Sequence, residues 1–598
     1  MKNPLKTYKK KKNFYHNLLK KESRTINKLS SIRLIIALVG IVNIVLLYIT
    51  KRYHIINYIL LVYVALFIYL VEKHNKVKHK NKYTSALYKI NEDALKRLNG
   101  NWNNFKDTGL EFQDDSHSFS SDLDVFGQGS LFQYINTTTT YMGRQALRKY
   151  LVQPCRSKDQ INKRQESINE LSVKLWWRQR FMVEGLVTSD KSNNNDDLYR
   201  FAEAKYETYT KLWLIIGVRL LPAISIGFII LYLLDIIPYQ IPSLAVVLQT
   251  LILMFKNKER SKNLNLVYKH KDSIKVYSKM LDQIERKHFK SKYLLELKDK
   301  LIDADKRTAH QQIKKLEKIT DSISNRSNLA FIVINIITLW DYQCMIALER
   351  WKKKSGILIK TWMETIGEFE ALSSLANIRY DNPDWTIPKI IDKPNYIVAK
   401  GIGHPLLTDK RVCNDVEIDD STKVLLITGS NMSGKSTYLR TVGINMVLAY
   451  AGAPVCAKDF CCSIFSIYTC MRVRDNLEKN ISSFYAELLR IKEVVDASKE
   501  KKIFFLLDEV FKGTNSYDRH EGAKILINKL LNNKAIGLVS THDLELEVLE
   551  KESNKRIKNY HFEEYYKNNK ICFDYRLKPG ISTTRNALYL IKMIGIDD

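Results

Sequence analysis

Acidic residues, chain breakers and ordered cysteines are what this sequence has least of. Eight cysteines occur in 598 residues, four of them within 456–470 and two adjacent, Cys461 and Cys462. Their irregular spacing excludes a disulfide framework and a zinc pattern, and leaves buried thiols in a reducing compartment. Glycine and proline are missing from Lys256 to Asn328. There, charges interleave with Leu, Ile, Val and Tyr at three- and four-residue spacing (VYSKMLDQIERKHF, YLLELKDKLIDADKRTAHQQIKKLEKI), the mark of long amphipathic helices. Asp and Glu number 64 against 95 Lys and Arg, a formal charge of +31. Such an excess favours anionic partners, either nucleic acid or the anionic face of a membrane. For any single lysine of the helical middle, a phosphate contact and a solvated helix face fit equally well. The length calls for three or four structural units rather than one core.

Two stretches lack charge altogether. Leu34–Ile49 lies between Arg33 and Lys51, and Ile55–Val71 follows it. Neither shows a polar face, and flanking tyrosines (Tyr48, Tyr53, Tyr58, Tyr69) extend them toward the roughly 20 residues that cross a bilayer. Residues 1–33 carry eleven Lys/Arg against the single Glu22, and Lys73, Lys76, Lys78, Lys80 and Lys82 follow the second stretch. The first segment starts too late for a cleavable signal and has no small-residue cleavage site. A second apolar pair, Leu212–Leu234 and Ile241–Phe255, is flanked by Lys211 and by Lys256, Lys258, Arg260 and Lys262. Arg219 inside it would cost about 2.5–3.5 kcal/mol at mid-bilayer, so the span is read as starting at Leu220. Basic flanks on both pairs predict two hairpins that return to the cytoplasmic side. The run Leu329–Leu339 is only eleven residues, with Asp341, Glu349 and Arg350 following at helical spacing, and predicts a buried helix face.

After Asp381-Asn382-Pro383 the composition changes, with Pro383, Pro388, Pro394 and Pro405 punctuating short β-type runs. Gly429, Ser430, Asn431, Met432, Ser433, Gly434, Lys435 and Ser436 spell G-x-x-x-x-G-K-[ST], between the apolar run Val424–Ile427 and a helical pattern from Thr437. A glycine loop between a buried strand and a helix aims backbone N–H groups at a polyphosphate. Lys435 is expected on the β/γ-phosphates and the Ser436 hydroxyl on Mg²⁺. A second buried strand, Ile503–Leu507, ends in Asp508-Glu509, suited to holding Mg²⁺ and to orienting or deprotonating an attacking water, respectively. A third, Ala535–Ser540, ends in Thr541-His542, where an imidazole can meet the γ-phosphate or the water. Ser482 and Ser483 stand just before a helix, as an ordinary N-cap or an anion contact.

Together TGSNMSGKSTYLR, SSFYAEL, LLDEVFKGTNSYDRHEGA and STHDLEL resemble the MutS family. GHPLL, SLFQYINTTTTYMGRQALRKYLVQP, INKRQESINEL and EFEALSSLANIRY agree with it more weakly, so the resemblance covers roughly 115–205 and 257–598. It implies an α/β P-loop ATPase of ABC type on an all-α lever, using ATP and Mg²⁺ as a homodimer. In such a dimer Ser482 and Ser483 reach the γ-phosphate bound by the other subunit, and Asp518 crosses toward the partner. Residues 411–415 (RVCND) stand where the family offers an aromatic ring to adenine, and Phe511–Thr514 read FKGT for its GRGT. No counterpart of the family's Phe-x-Glu mismatch-reading domain is found, too little chain stands in the connector position, and no nuclease-like extension follows.

The expected organisation is therefore a basic cytoplasmic tail (1–31), a transmembrane hairpin (32–72), a mostly helical linker (73–114), the first part of the helical core (115–208), a second hairpin (209–256), the helical lever (257–380) and the ATPase domain (381–598). The expected setting is a cytoplasmic (inner) membrane, with ATPase and lever on the cytoplasmic side. Two functions compete: an ATP-driven dimer whose arms act on DNA without mismatch specificity, and a membrane scaffold or mechanoenzyme acting on a protein or lipid partner. A transporter is disfavoured, because short spans with few polar groups make a poor pore.

Overall fold

The computed structural model describes residues 3–188, 196–204, 208–324, 326, 329–408, 411–472, 483–567 and 570–581. It begins with two helices, α1 (Pro4–Ile49) and α2 (Tyr53–Leu98), each of 46 residues and thus about 69 Å long. Asn3 caps α1 by accepting from the Lys6 N–H, and Pro4 occupies the first turn, where its missing N–H costs nothing. The basic residues ahead of Leu34 are helical and continuous with the apolar stretch. At the apolar end Gly40 leaves room for the Tyr63 ring, which lies 3.2 Å from where a Cβ would stand, and the Asn43 amide donates to the Tyr63 hydroxyl at 2.7 Å. Leu34, Ile41, Leu61 and Val62 turn outward, exposed. Both helices are long and apolar enough to cross a membrane.

The root of this hairpin is polar and buried. The Tyr8 hydroxyl donates to Asp381 Oδ1 at 2.8 Å, Arg97 stands 3.6 Å from Asp381 Oδ2, and all three residues are buried. Burial, reinforced by the Asp381 charge, pushes the Tyr8 phenol well above its ordinary value, so it remains the donor at physiological pH. Arg97 also donates to the Tyr134 carbonyl at 2.9 Å, and Lys11 to Gln179 at 2.7 Å.

A helical body follows, made of α3 (Leu131–Ile135), α4 (Tyr141–Val152), α5 (Lys158–Val173), α6 (Leu175–Thr188) and α7 (Asp196–Glu203), then α8 (Leu212–Leu233) and α9 (Gln240–Met254). It continues through α10 (Asn257–Lys269), α11 (Lys271–Arg286), α12 (Lys292–Asp299), α13 (Ala309–Ser324), α14 (Leu329–Thr338), α15 (Trp340–Ser355) and α16 (Ile359–Asp381). Helix α16 is the spine of this body, with Trp362, Ile366, Phe369, Leu372 and Leu375 buried on α4 and α5. Its buried Glu370 accepts from the Thr139 N–H and hydroxyl, each at 2.6 Å, and from the Thr140 hydroxyl.

Helix α8 meets the length and apolarity of a span, whereas α9 has only 15 residues and the chain bends by 69° into α10. The expected buried face at 329–339 is met in part: Phe331 and Leu339 are buried and Ile336 packs on the core. The opposite edge of α14, Ile332, Val333 and Ile334, is exposed beside α8 and α9, and the chain turns by 70° at Leu339 (φ 49°) into α15.

Two sheets form the C-terminal part. The smaller has the order β1 (Lys389–Ile390), β5 (Asp459–Cys462), β2 (Ile397–Ile402), β3 (Asn414–Ile418). The larger has six strands in the order β10 (Lys570–Pro579), β9 (Ile557–Lys567), β4 (Val424–Thr428), β8 (Ile536–Ser540), β7 (Ile503–Asp508), β6 (Ser466–Cys470), with only β10 and β9 antiparallel. Strands β4, β7 and β8 are buried at every residue, as continuous apolar runs in a parallel sheet require. Helices α17 (Lys435–Ala451), α18 (Ser483–Glu500), α19 (Ser516–Asn532) and α20 (Leu549–Glu552) connect them. One hydrophobic core runs from the helical body into this part, through Phe119, Leu123, Phe132, Tyr450 and Phe504. Asp122 pins the junction, accepting from the Thr469 hydroxyl at 2.6 Å and the Met471 and Arg472 N–H groups at 3.1 and 2.9 Å.

Tyr8→Phe removes a hydrogen bond to a buried carboxylate and should lower stability by about 1.5–3 kcal/mol. Lys12→Ala, at the more open Lys12–Glu92 pair, should cost no more than about 1 kcal/mol. Denaturant unfolding of the detergent-solubilised chain checks both, and equal midpoints for the two variants would refute the buried clamp.

Candidate nucleotide site

The loop from Gly429 to Gly434 leaves β4 and enters α17 with a backbone that side chains oppose. Gly429 has φ 146° and Gly434 φ 108°, and a Cβ on Gly434 would stand 3.2 Å from the Tyr575 ring. The first turn of α17 opens onto a cavity of about 400 Å³, within the range of small-molecule sites. Asn431, Met432, Ser433, Gly434, Lys435, Ser436, Thr437 and Glu509 line it. Gly429 and Ser430 lie behind the wall, where their carbonyls each accept from Lys435 Nζ at 2.9 Å and the Ser430 hydroxyl donates to Glu564 at 2.7 Å. Ser433 Oγ is buried and has no protein partner among the described residues. A ligand with many acceptors would meet this orphaned hydroxyl, the unpaired amides of the helix start and the ammonium together.

The acidic pair closes the other side. Asp508 is buried at the end of β7 and accepts from the Ser540 hydroxyl of the neighbouring strand. Glu509 follows at φ 53°, which swings its carboxylate back over the loop. There it lies 2.7 Å from His542 Nε2, 3.7 Å from Lys435 Nζ and 3.2 Å from Lys512 Nζ. The hydrogen bond to His542, with the charges of Lys512 and Lys435, holds its carboxyl down at about 2 against the pull of burial. His542 also stands 2.8 Å from Asn431 Oδ1 and 3.4 Å from Lys435 Nζ. Burial draws Lys435 below its ordinary value, opposed by Glu509 and Asp508. Lys435, Glu509 and His542, separated by up to 107 residues, thus form one hydrogen-bonded knot.

Of the signature residues, Ser482 lies outside the described residues, and Ser483 is the first residue of α18. Asp518, in the first turn of α19, accepts from the Asn515 amide at 2.8 Å. Sequence reading missed several lining residues. Tyr575 (φ 54°) sits on a register shift of β10 between Phe573 and Leu577, which brings its ring over the loop. Asn414 fixes that shift, donating to the Tyr575 carbonyl at 3.0 Å and accepting from the Leu577 N–H at 2.8 Å. Residues Val412 and Asn414 line the cavity, as expected of 411–415, but the aromatic ring comes from Tyr575, about 160 residues on. His404 of GHPLL lines it too, held neutral with a value near 4 by burial and Arg440. Buried Glu487 of SSFYAEL accepts from the Phe511 N–H at 2.5 Å, tying α18 to the loop after the acidic pair.

The depressed Glu509 value carries a sign. Its contribution to stability is complete above about pH 4.5 and is lost as pH falls through about 2. The unfolding-midpoint gap between the wild-type chain and Glu509→Gln should therefore hold steady above that point and narrow below it. A gap that widens on acidification would contradict the knot.

Comparison with known proteins gives two family matches, MutS domain III over residues 110–504 and MutS domain V over residues 425–598. Among curated proteins, a DNA mismatch repair protein MutS of Methanosarcina mazei is 29% identical over 244 residues, 39% of this chain and 27% of that protein. One from Methanosarcina acetivorans is 26% identical over 288 residues (47% and 32%), and one from Persephonella marina 32% identical over 240 residues (39% and 27%). The matched stretches thus span about a third or less of these relatives' own length. With the domain III match alone covering more than half of the residues, the chain belongs to the MutS family.

Proposed function

We propose that this chain is an ATP hydrolase that works as a dimer, anchored in a membrane by its apolar helices, and that its ATP cycle moves the helical body on DNA. The observation that carries the catalytic part is the knot of Lys435, Glu509 and His542 at the mouth of the phosphate loop. The loop amides, the Ser433 and Ser436 hydroxyls and Lys435 would hold a triphosphate, and Ser436 with Asp508 would hold Mg²⁺. When bound, Mg²⁺ supplies charge neutralisation on the phosphate oxygens. Glu509 is ionised throughout the physiological range. In the knot it is tied to Lys435 and His542, and it becomes available to take a proton from water only when Lys435 turns to the phosphates. His542, released from Glu509, can then donate to a phosphate oxygen or hold the water. Tyr575 offers a ring face to a base, and Val412, Leu407 and Ile402 the apolar wall.

The DNA part is supported by the relatives' printed name and by the basic helical body, and the membrane part by α1, α2 and α8. Binding to DNA is expected to show little preference for mismatches. A second reading, a mechanoenzyme or scaffold acting on a protein or lipid partner, is favoured by the clamp on Asp381. That clamp fastens the apolar hairpin to the residue where the helical body ends and the sheet domain begins.

Glu509→Gln should retain ATP binding and lose turnover by about 10²–10⁴-fold, and Lys435→Ala should weaken nucleotide binding itself. Equilibrium nucleotide binding and steady-state phosphate release measure the two separately. Full turnover in Glu509→Gln would falsify the base assignment. For the load, duplex, branched and mismatched DNA titrated against the detergent-solubilised chain at rising salt should give binding whose logarithm falls linearly with log salt. A slope near zero, or no binding at low salt, would remove DNA and leave the second reading.

A further inference from the structure

The second apolar region holds three helices, and the third is the one whose expected burial holds on one face only. Helices α8, α9 and α14 pack on one another and leave Leu220, Leu244, Leu251, Ile332, Val333 and Ile334 exposed. Large apolar side chains gathered on packed helices are rarely left to water. From the charged pair Arg326–Asp341 (3.1 Å) at its base, the chain leaves and returns on the same side. Between them α14 has 10 residues, about 15 Å, half the roughly 30 Å hydrocarbon layer. It can enter a bilayer but cannot cross one.

The base of this lobe is built for a place without water. A helix end in water needs no protein partners for its last carbonyls, whereas in a bilayer each unpaired one costs several kcal/mol. Here the carbonyls closing α9 are satisfied from inside the protein. Ile252 O accepts from the Tyr342 hydroxyl at 3.0 Å, Phe255 O from Arg260 Nη1 at 3.0 Å, and Leu253 O from Arg260 Nη2. Tyr342 lies under the Arg260 guanidinium, 4.3 Å from centroid to Cζ, and Arg260 is itself buried. The end of α14 is treated alike. Ile337 O accepts from the buried Gln249 amide at 3.4 Å, and Asn335 accepts from the Asp341 N–H at 2.9 Å across the 70° bend. Val218 O of α8 accepts from Gln343 at 3.0 Å. Around this base Lys256, Lys258 and Lys262 are exposed, a cationic rim matched to anionic headgroups.

From these observations we infer that α14 is a re-entrant segment, buried among phospholipid acyl chains of the leaflet facing the helical body, and that α8, α9 and α14 engage lipid as one lobe. The inference rests on the membrane reading above and adds to it a third lipid-facing element with its occupant. Mechanically, lipid then grips α15, and through it the body, at a second place far along the chain from the α1–α2 hairpin.

The test uses the full chain reconstituted in vesicles of phosphatidylethanolamine and phosphatidylglycerol. Val62 (α2), Leu244 (α9) and Val333 (α14) are replaced in turn by the photo-crosslinker p-benzoylphenylalanine, and intact mass is read after irradiation. The expected result is a shift of one phospholipid at all three positions, and at Val333 a smaller yield when acyl chains carry a quencher near the headgroup. Lipid adducts at Val62 and Leu244 with none at Val333, or a protein crosslink at Val333, overturn the α14 assignment and leave the membrane reading standing. Absence of lipid adducts at all three positions sinks the membrane reading, and the inference with it.

Discussion

The buried carboxylate of Asp381 joins the apolar hairpin to the helical body. Asp381 closes α16, the spine of the helical body, and the next residues lead into the sheet domain. Tyr8 and Arg97 reach it from the two helices of the apolar hairpin, and Asn382 beside it donates to the Tyr134 hydroxyl at 3.4 Å. Burial raises the Asp381 value, with the Arg97 charge and the Tyr8 hydrogen bond opposing. Unpairing a buried charge typically costs about 3–5 kcal/mol. Hairpin, body and sheet domain therefore move together at this point or not at all.

A similar logic holds the loop from Gly429 to Gly434. Lys435 is drawn into a buried position by two loop carbonyls, which compensates its lost water, and Glu509 stands close enough to share its charge. In the knot Lys435 is buried, Glu509 half-buried and His542 exposed, and each has a partner to exchange. The loop after the acidic pair is tied through Phe511 to Glu487 on α18, and α19 begins from the same loop. A displacement at Glu509 has a covalent route to α19 and a hydrogen-bonded one to α18, the two elements that flank the expected partner-facing residues Ser483 and Asp518.

The two apolar regions differ in how they are made. In the apolar part of the α1–α2 hairpin the helices are long and satisfy their own backbone, and the Asn43–Tyr63 bond joins them there. In the α8–α9–α14 lobe α9 and α14 are short and followed by bends, and carbonyls at their last turns accept from protein side chains. Arg260 and Tyr342 serve α9 and Gln249 serves α14, while Gln343 meets the Val218 carbonyl inside α8, which explains charged and polar residues at the edge of an apolar run.

What the sequence by itself determined is whatever is written in consecutive residues. Val424–Ser436 specifies strand, loop and helix start because a buried strand is a run of apolar residues and a phosphate loop is a contiguous stretch whose glycines take positive φ. Asp508, Glu509 and His542 were legible for the same reason, each ending an apolar strand of a parallel sheet, where such ends converge on one edge. The apolarity of α1, α2 and α8 was legible from composition, but not that α1 and α2 continue through their basic flanks to 46 residues each. Only the tertiary structure decided the rest. Tyr8 and Asp381 are 373 residues apart, and no periodicity announces that they meet. Tyr575 reaches the cavity because a register shift in β10, pinned by Asn414, turns its side chain inward. Helix α14 carries the apolarity of a core helix, yet the turn at Leu339 leaves its Ile332–Ile334 edge outside. Local pattern encodes which residues avoid water, whereas which faces meet depends on contacts between distant segments, and those are fixed only when the chain folds.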